Sequence, residues 1–478
     1  VMFFRSGLLS LGGTLIRSSV QILANVVVAR ILGPEHYGAA AVVLGLSIVL
    51  ELVRSGGFAA VVLRSGAQPE AVLVALHRMS ALLGLVLGVA VATAGALAAW
   101  LAPDAPYGVL LLAIAVAFPV SGAVAVPIAT MARRAEMGRV VAVESAGAVL
   151  GASTAVLLAL AGVGPIAVIA QVVVLWTVVG TGVAVLRRAP RGEAAPWPVV
   201  REMVGIARDV SIVQVVMLVF RTGDRVLVAA LFGSAASGVY VQAVQLMTLP
   251  LEQIGAAVQR VALPALAEAG PTLLTERLRQ FTAAVTLLAW PVLALLGVLA
   301  GPVVELLFGS AWSGSADLLP FLVVGGAARA LGCVPEWWFV ASGHVRRQIR
   351  WVLVSQPLTI AAFVAGSPWG VRGMVVAYAA ACAALVLPSY VIALRGTGVR
   401  LRTVLGAALP AATVASAAAV SACIVRSALP EGAVTAVFVP AVCGVLVAVV
   451  TTTAFPATRA PVRAWFVARR ATGSGPIV

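Results

Sequence analysis

The sequence predicts an all-α integral membrane protein of about fourteen transmembrane helices. They form two six-helix lobes related by a pseudo-twofold axis along the membrane normal, plus two C-terminal helices. Three observations predict it: an apolar composition cut into blocks of bilayer length, an alternation of arginines between those blocks, and an internal repeat at an offset of 200 residues.

Composition comes first. The 478 residues are 62% hydrophobic and only 10% charged, with a mean hydropathy of +1.09. A soluble domain carries about 25% charged residues, so a soluble core is excluded. The net charge is +15, and all 32 basic residues are arginine. A basic balance can signal nucleic acid, but such surfaces need a solvated basic face with interleaved aromatics. Here the arginines fall between apolar blocks, so no nucleic-acid partner is expected. Cys333, Cys382, Cys423 and Cys443 sit singly within apolar blocks. With no CxxC or His-paired spacing they read as small hydrophobes, and neither metal nor cofactor is expected.

A bilayer crossing takes roughly 20 apolar residues. Blocks of that size lie near 8–32, 39–56, 75–101, 107–131, 141–161, 165–186, 207–231, 238–259, 280–300, 318–341, 350–366, 371–394, 403–425 and 433–455. The first is too long for a signal-peptide core and lacks a clean A-x-A site, so it reads as a spanning helix. Segment 191–206, rich in proline and charge, reads as a cytoplasmic linker between lobes 1–190 and 207–396, with 397–478 supplying two extra helices and a basic tail. Trp197, Trp337 and Trp338 read as interfacial anchors. Pro250, Pro291, Pro320, Pro388 and Pro410 fall inside blocks and are expected to kink them.

Arginine placement tests the division. With both termini cytoplasmic, inner connections hold groups such as Arg133, Arg134 and Arg139, or Arg346, Arg347 and Arg350, whereas the outer ones hold only Arg372 and Arg426. A miscounted helix would invert the alternation downstream of it. No large soluble segment and no G-x-x-x-x-G-K-[ST] occur, so ATP is not the expected energy source.

Segments 26–38 (VVVARILGPEHYG) and 226–238 (VLVAALFGSAASG) share five identities in register, among them Gly33/Gly233 and Gly38/Gly238. Each ends the first helix of a lobe and turns into the next. Glycine suits that turn because positive φ costs it nothing. An even helix count per half keeps both halves in one orientation, and the substrate path is expected between them.

Polar side chains at membrane depth cost on the order of 2.5–3.5 kcal/mol each when charged, so they mark cavities or partners. Thr14, Arg17, Gln21 and Asn25 share one face of the first helix, and Ser211, Gln214, Arg221, Asp224 and Arg225 one face of the seventh. In the repeat register Gln214 matches Thr14, Arg221 matches Gln21, and Arg225 matches Asn25. Gln242, Gln245, Thr248 and Glu252 line the eighth helix, and Arg329 and Glu336 the tenth. Guanidinium groups offer bidentate donors to phosphate, and amides replace water around sugar hydroxyls. The expected substrate-binding set is therefore Arg17, Gln21, Asn25, Gln214, Arg221, Arg225, Gln242, Gln245 and Arg329, with Asp224 and Glu252 as ion-coupling candidates. Asp224 could equally neutralise Arg221 within its own helix. No triad, metal box or catalytic carboxylate pair is present, so no enzyme is expected.

The run Val27-Val28-Ala29-Arg30-Ile31-Leu32-Gly33-Pro34-Glu35-His36-Tyr37-Gly38 resembles the polysaccharide flippases of the multidrug/oligosaccharidyl-lipid/polysaccharide exporter (MOP) superfamily. So does the run Asp224 to Gly233, followed by Gly238-Val239-Tyr240 and Leu249-Pro250. Their order and spacing are similar to the lipopolysaccharide and teichuronic-acid exporter branch, across essentially the whole chain. The resemblance implies translocation of an undecaprenyl-diphosphate-linked glycan across a bacterial cytoplasmic membrane, through a cationic cavity and driven by an ion gradient. It implies membrane lipids as surroundings, and an envelope polymerase and glycosyltransferases as partners.

Two rivals remain. A cation-coupled multidrug antiporter of the same superfamily needs a net acidic site, whereas Arg17, Arg221, Arg225 and Arg329 outnumber Asp224 and Glu336 here. A non-transporting scaffold for envelope synthesis would have no need of polar stripes in both halves.

Overall fold

The computed structural model describes residues 2–64, 69–134, 136–186, 189–428 and 435–454, and within these the side chains outside 2–19, 52–56, 59–60, 63–64, 209–222 and a few single positions. These residues form two compact units, 1–238 and 239–478, without any β-strand among the described residues.

The first unit holds α1 (Met2–Arg64), α2 (Glu70–Leu101), α3 (Tyr107–Ala115), α4 (Ala117–Arg133), α5 (Met137–Leu160), α6 (Ile166–Val185) and the beginning of α7 (Trp197–Ala267). The second holds the rest of α7, then α8 (Pro271–Val298), α9 (Ala300–Phe308), α10 (Ser313–Ala341), α11 (Val345–Ala365), α12 (Gly370–Leu394), α13 (Leu401–Leu405), α14 (Leu409–Ala428) and α15 (Thr435–Ala454).

Among the described residues, twelve stretches are long and apolar enough to cross a membrane. Two of them contain a break. The stretch Gly223–Ala267 has 45 residues, about 68 Å at 1.5 Å per residue, which far exceeds a hydrocarbon core of about 30 Å. It divides at Gly233, where φ is 88° and ψ 173°. The stretch Val20–Glu51 divides at Gly33, with φ 72° and ψ 174°. Counting each as two gives fourteen, and the two repeat-matched glycines carry the same non-helical backbone. Pro34 follows Gly33 at the first position of the new helix, where its missing N–H leaves no partner wanting.

Two boundaries differ from the sequence expectation. The second arm of α1 continues to Arg64 rather than stopping near 56, because the Gly56-Gly57 pair does not break it. The connector expected over 191–206 is helical from Trp197 onward. Pro250, Pro291, Pro320 and Pro388 lie inside helices, where neighbouring helices tolerate the lost backbone bond, whereas Pro410 is the second residue of α14, in the first turn, where its missing N–H leaves no bond unmade.

Lipid is as apolar as leucine, so helices in a membrane associate through small residues that let backbones approach. In α2, Gly84, Gly88 and Gly95 lie at spacings of four and seven, on one face. A Cβ on Gly84 would stand 2.5 Å from the Phe118 carbonyl oxygen and 2.9 Å from Gly122 Cα, and one on Gly95 would stand 2.9 Å from Leu112 N. Ser80, one turn before Gly84, donates to the Gly122 carbonyl at 3.0 Å. α5 meets α6 in the same way, with Gly147 and Gly151 against Leu175 and Gln171.

The second unit has a bulkier core: Val258, Leu266, Phe281, Val334, Trp337 and Tyr390 are among its buried members. Trp337 is therefore a core residue rather than an interfacial anchor, and Trp338 donates its indole N–H to the Ala393 carbonyl at 3.2 Å. Of the cysteines, Cys333, Cys382 and Cys443 are half-buried while Cys423 is exposed, on the outer face of α14. α14 packs on α8 through Ala411 and Val414 against Ala283 and Leu287. The Arg426 guanidinium donates to the Val298 carbonyl at 2.8 Å, satisfying an orphan acceptor at the C-terminal end of α8.

Candidate functional site

The expected site residues are distributed over both units. In the first, the side chains of Thr14, Arg17, Ser211, Gln214 and Arg221 lie outside those the structure describes. Gln21 is exposed, and Asn25, Asp224 and Arg225 are half-buried. Asn25 is held by Tyr37 across the Gly33 break: the phenol donates to Asn25 Oδ1 at 2.7 Å. The repeat-equivalent pair is Arg225 and Ser237, and there the Ser237 hydroxyl donates to the Arg225 carbonyl at 3.1 Å. Each break is thus closed by a hydrogen bond over the same twelve-residue interval. In the first repeat this bond engages a residue expected to bind substrate. In the second it uses the backbone and leaves the arginine side chain out of it.

Arg225 stands eight residues before Gly233, about 12 Å along the helix. Its Nε is buried and has no hydrogen-bond partner among the described residues. A buried guanidinium N–H left unpaired costs more than the roughly 1–3 kcal/mol of a neutral group, so an incoming acceptor would be favoured there. Asp224 beside it accepts the Arg225 backbone N–H at 2.8 Å, and it has further partners.

In the second unit, Gln242 is 1% exposed, and its Nε2 lacks a partner among the described residues. Gln245 is half-buried, Glu252 is exposed, and Thr248 turns its hydroxyl to the Val244 carbonyl at 2.9 Å. Arg329 sits against the Tyr378 phenol and the thiols of Cys382 and Cys333. It is packed between α10 and α12, which sequence spacing could not show. Its described surroundings are Tyr378, Cys382 and Cys333 rather than Gln242 or Gln245.

One ionisable residue within a candidate span escaped the sequence reading. Glu51 accepts a hydrogen bond from the Ser121 hydroxyl at 3.0 Å. The expected helix end near 56 placed Glu51 close to the inner surface. The helix instead continues thirteen residues beyond Glu51, to Arg64. The available signal was the apolar run Phe58 to Leu63 beyond it, which continues the helix.

Comparison with known proteins places this fold. The profile of the polysaccharide biosynthesis protein family matches residues 27–317, more than half of the chain. The chain belongs to that family. A stretch of 148 residues is 26% identical to the amylovoran biosynthesis protein AmsL of Erwinia amylovora, covering 30% of this chain and 38% of AmsL. The chain thus matches well under half the length of that relative. Among solved structures, the lipid II flippase MurJ in an inward closed conformation superposes with a TM-score of 0.75 at 11% identity, over 94% of this chain and 98% of MurJ. An inward-facing multidrug resistance MATE transporter of the MOP superfamily superposes at 0.62 with 15% identity, over 80% of this chain and 98% of that one. At these identities the likeness is one of fold, and this member of the polysaccharide biosynthesis protein family has the MOP transporter fold.

Proposed function

We propose that the protein flips an undecaprenyl-diphosphate-linked oligosaccharide, a precursor of an envelope polysaccharide, across the bacterial cytoplasmic membrane by alternating access. The family membership supports a polysaccharide cargo, and the MOP fold supports a transporter rather than an enzyme. On this reading both termini are cytoplasmic, the helices divide as six, six and two, and an envelope polymerase and glycosyltransferases work beside it. Arg225 carries the proposal: it is a guanidinium within a candidate span whose buried Nε has no hydrogen-bond partner among the described residues, on the polar face shared with Arg221. With Arg17 on the matching face of α1, it is proposed to receive the diphosphate, while Gln21, Gln214, Gln242, Gln245 and Arg329 serve the glycan and its path. Asp224 and Glu252 are proposed to couple transport to an ion gradient.

The test is leaflet transfer of a polyprenyl-diphosphate-linked glycan in proteoliposomes. A lost charge-assisted bond to phosphate is worth about 1.5–3 kcal/mol, so Arg225→Ala should slow transfer roughly tenfold to a hundredfold. Arg17→Ala and Arg221→Ala should do the same, with Arg225→Lys intermediate because a single ammonium cannot bind in the bidentate manner. Transfer untouched by all four would keep the function and remove this site. Gradient-driven export of an organic cation without glycan transfer would favour the antiporter.

A further inference from the structure

Helix α10 carries Pro335, which has no N–H to give to the carbonyl four residues back, that of Leu331. A carbonyl orphaned inside a membrane helix is costly unless another group takes it over. The Tyr390 phenol of α12, in a residue only 1% exposed, donates to it at 3.0 Å. The phenol oxygen in turn lies 3.4 Å from the Thr282 hydroxyl of α8. One turn back on α10, the Trp290 indole N–H of α8 donates to the Ala327 carbonyl at 3.0 Å. Arg329 lies midway between these two carbonyls in the chain. Its own carbonyl accepts the Cys333 thiol at 3.3 Å, and its neighbour Ala330 is buried with Leu251 and Ala289. The turn that bears Arg329 is therefore bonded to both α8 and α12, just where the proline weakens its own ladder.

The side chain has a fixed neighbour as well. Gly325, one turn before Arg329, leaves a notch for the ring of Tyr378. A Cβ there would stand 3.1 Å from Tyr378 Cε1 and 3.3 Å from Ala379 Cα. Phe363 of α11 meets the Tyr378 ring edge-on, with 6.5 Å between centroids and 85° between planes. The phenol placed in this way stands beside the Arg329 guanidinium, together with the thiols of Cys382 and Cys333. Phenols and thiols are ordinarily neutral at pH 7, so these three groups do not cancel the arginine's charge. Arg329 lies within the candidate span Ser310–Ala341, and a charged group there is costly and marks a functional site. It is half-buried, so a ligand can reach it. A guanidinium offers paired N–H donors to an oxyanion, and one held in place beforehand loses less freedom on binding.

We infer that Trp290 and Tyr390 are positioning residues for Arg329. By taking the Ala327 and Leu331 carbonyls they hold the proline-weakened turn, so that the guanidinium is preformed to receive an oxyanion of the lipid-linked glycan. That oxyanion is the diphosphate or the carboxylate of an acidic sugar. The ligand rests on the transport reading above, whereas the positioning does not.

Binding and transfer are measured separately, in nanodiscs and proteoliposomes of phosphatidylcholine, with two polyprenyl-diphosphate glycans. One glycan is neutral and the other carries a uronic acid. Arg329→Gln should weaken binding roughly tenfold, as loss of a charge-assisted bond does. Both glycans are affected if Arg329 receives the diphosphate, and only the acidic one if it receives the carboxylate. Tyr390→Phe and Trp290→Phe each keep an aromatic ring and lose the donor, and each should weaken the same binding about threefold. In the Arg329→Gln background neither should weaken it further, because a positioning residue acts through the group it positions. Trp338→Phe removes a bond of the same kind, to the Ala393 carbonyl beyond Pro335, and should leave affinity unchanged. Binding untouched by Arg329→Gln, or losses from Tyr390→Phe and Trp290→Phe that persist in its background, would overturn the proposal. Losses that vanish there, with no leaflet transfer of either glycan, would keep the positioning role and defeat the flippase reading instead.

Discussion

Gly38 and Gly238 mark a contact that cannot accept a single added methyl group. A Cβ on Gly38 would fall onto the Ser234 carbonyl oxygen and 2.7 Å from Gly238 N, and a Cβ on Gly238 would fall onto the Pro34 carbonyl oxygen and 3.1 Å from Gly38 N. The obstacles are backbone atoms, so no side chain can rotate away, and segments 34–38 and 234–238 would have to part by roughly 1 Å. Overpacking typically costs about 1–3 kcal/mol, with immovable neighbours toward the upper end. Alanine recovers up to about 1 kcal/mol of helix propensity. Gly38→Ala should therefore destabilise by about 2 kcal/mol, a roughly 30-fold change in the folded-to-unfolded ratio. Because the contact is reciprocal at the repeat offset, Gly238→Ala should cost about as much. Gly45, on the same arm of α1, is the control. Its Cβ would meet nothing within 4 Å, so Gly45→Ala should be neutral or stabilising. Equilibrium unfolding in mixed micelles, followed by tryptophan fluorescence, measures all three. Equal responses of Gly38→Ala and Gly45→Ala would refute the close-approach reasoning.

Two further outcomes follow from local geometry. Gly33 and Gly233 have open space around a Cβ but a backbone that L-residues rarely adopt. Gly33→Ala and Gly233→Ala should each cost about 1–3 kcal/mol from backbone strain alone, read by the same unfolding assay, and an effect at only one of them would contradict their equivalence. Arg426→Ala should release the α8 terminus from α14 at a cost of about 1 kcal/mol, little because Arg426 is exposed. Faster hydrogen exchange confined to 295–301 would confirm it, and unchanged exchange there would dismiss the cap.

The many-helix membrane fold, the repeat register and the positive-φ turns were legible in the residues themselves. A spanning helix needs a fixed length of apolar chain, and only glycine takes φ near +80° cheaply. These are local constraints, and sequence carries them directly. Partnership is not local. Gln21 and Asn25 share one helix face, yet Asn25 is tied to Tyr37 across a break, while Arg225 at the equivalent position keeps its guanidinium out of the matching bond. Trp337 has an interfacial composition around it and a core position in fact, because α8 and α12 arrive beside it from distant parts of the chain. Arg329 met Tyr378 and Cys382 by the same route. Glu51 shows the difference most clearly: its sequence neighbours mark only an acidic residue in an apolar run, and one of its hydrogen bonds comes from Ser121, seventy residues away. The sequence alone determined that this is a many-helix membrane protein with two related halves. The tertiary structure decided which polar groups face one another, because that depends on helix packing through glycine contacts that no single segment encodes.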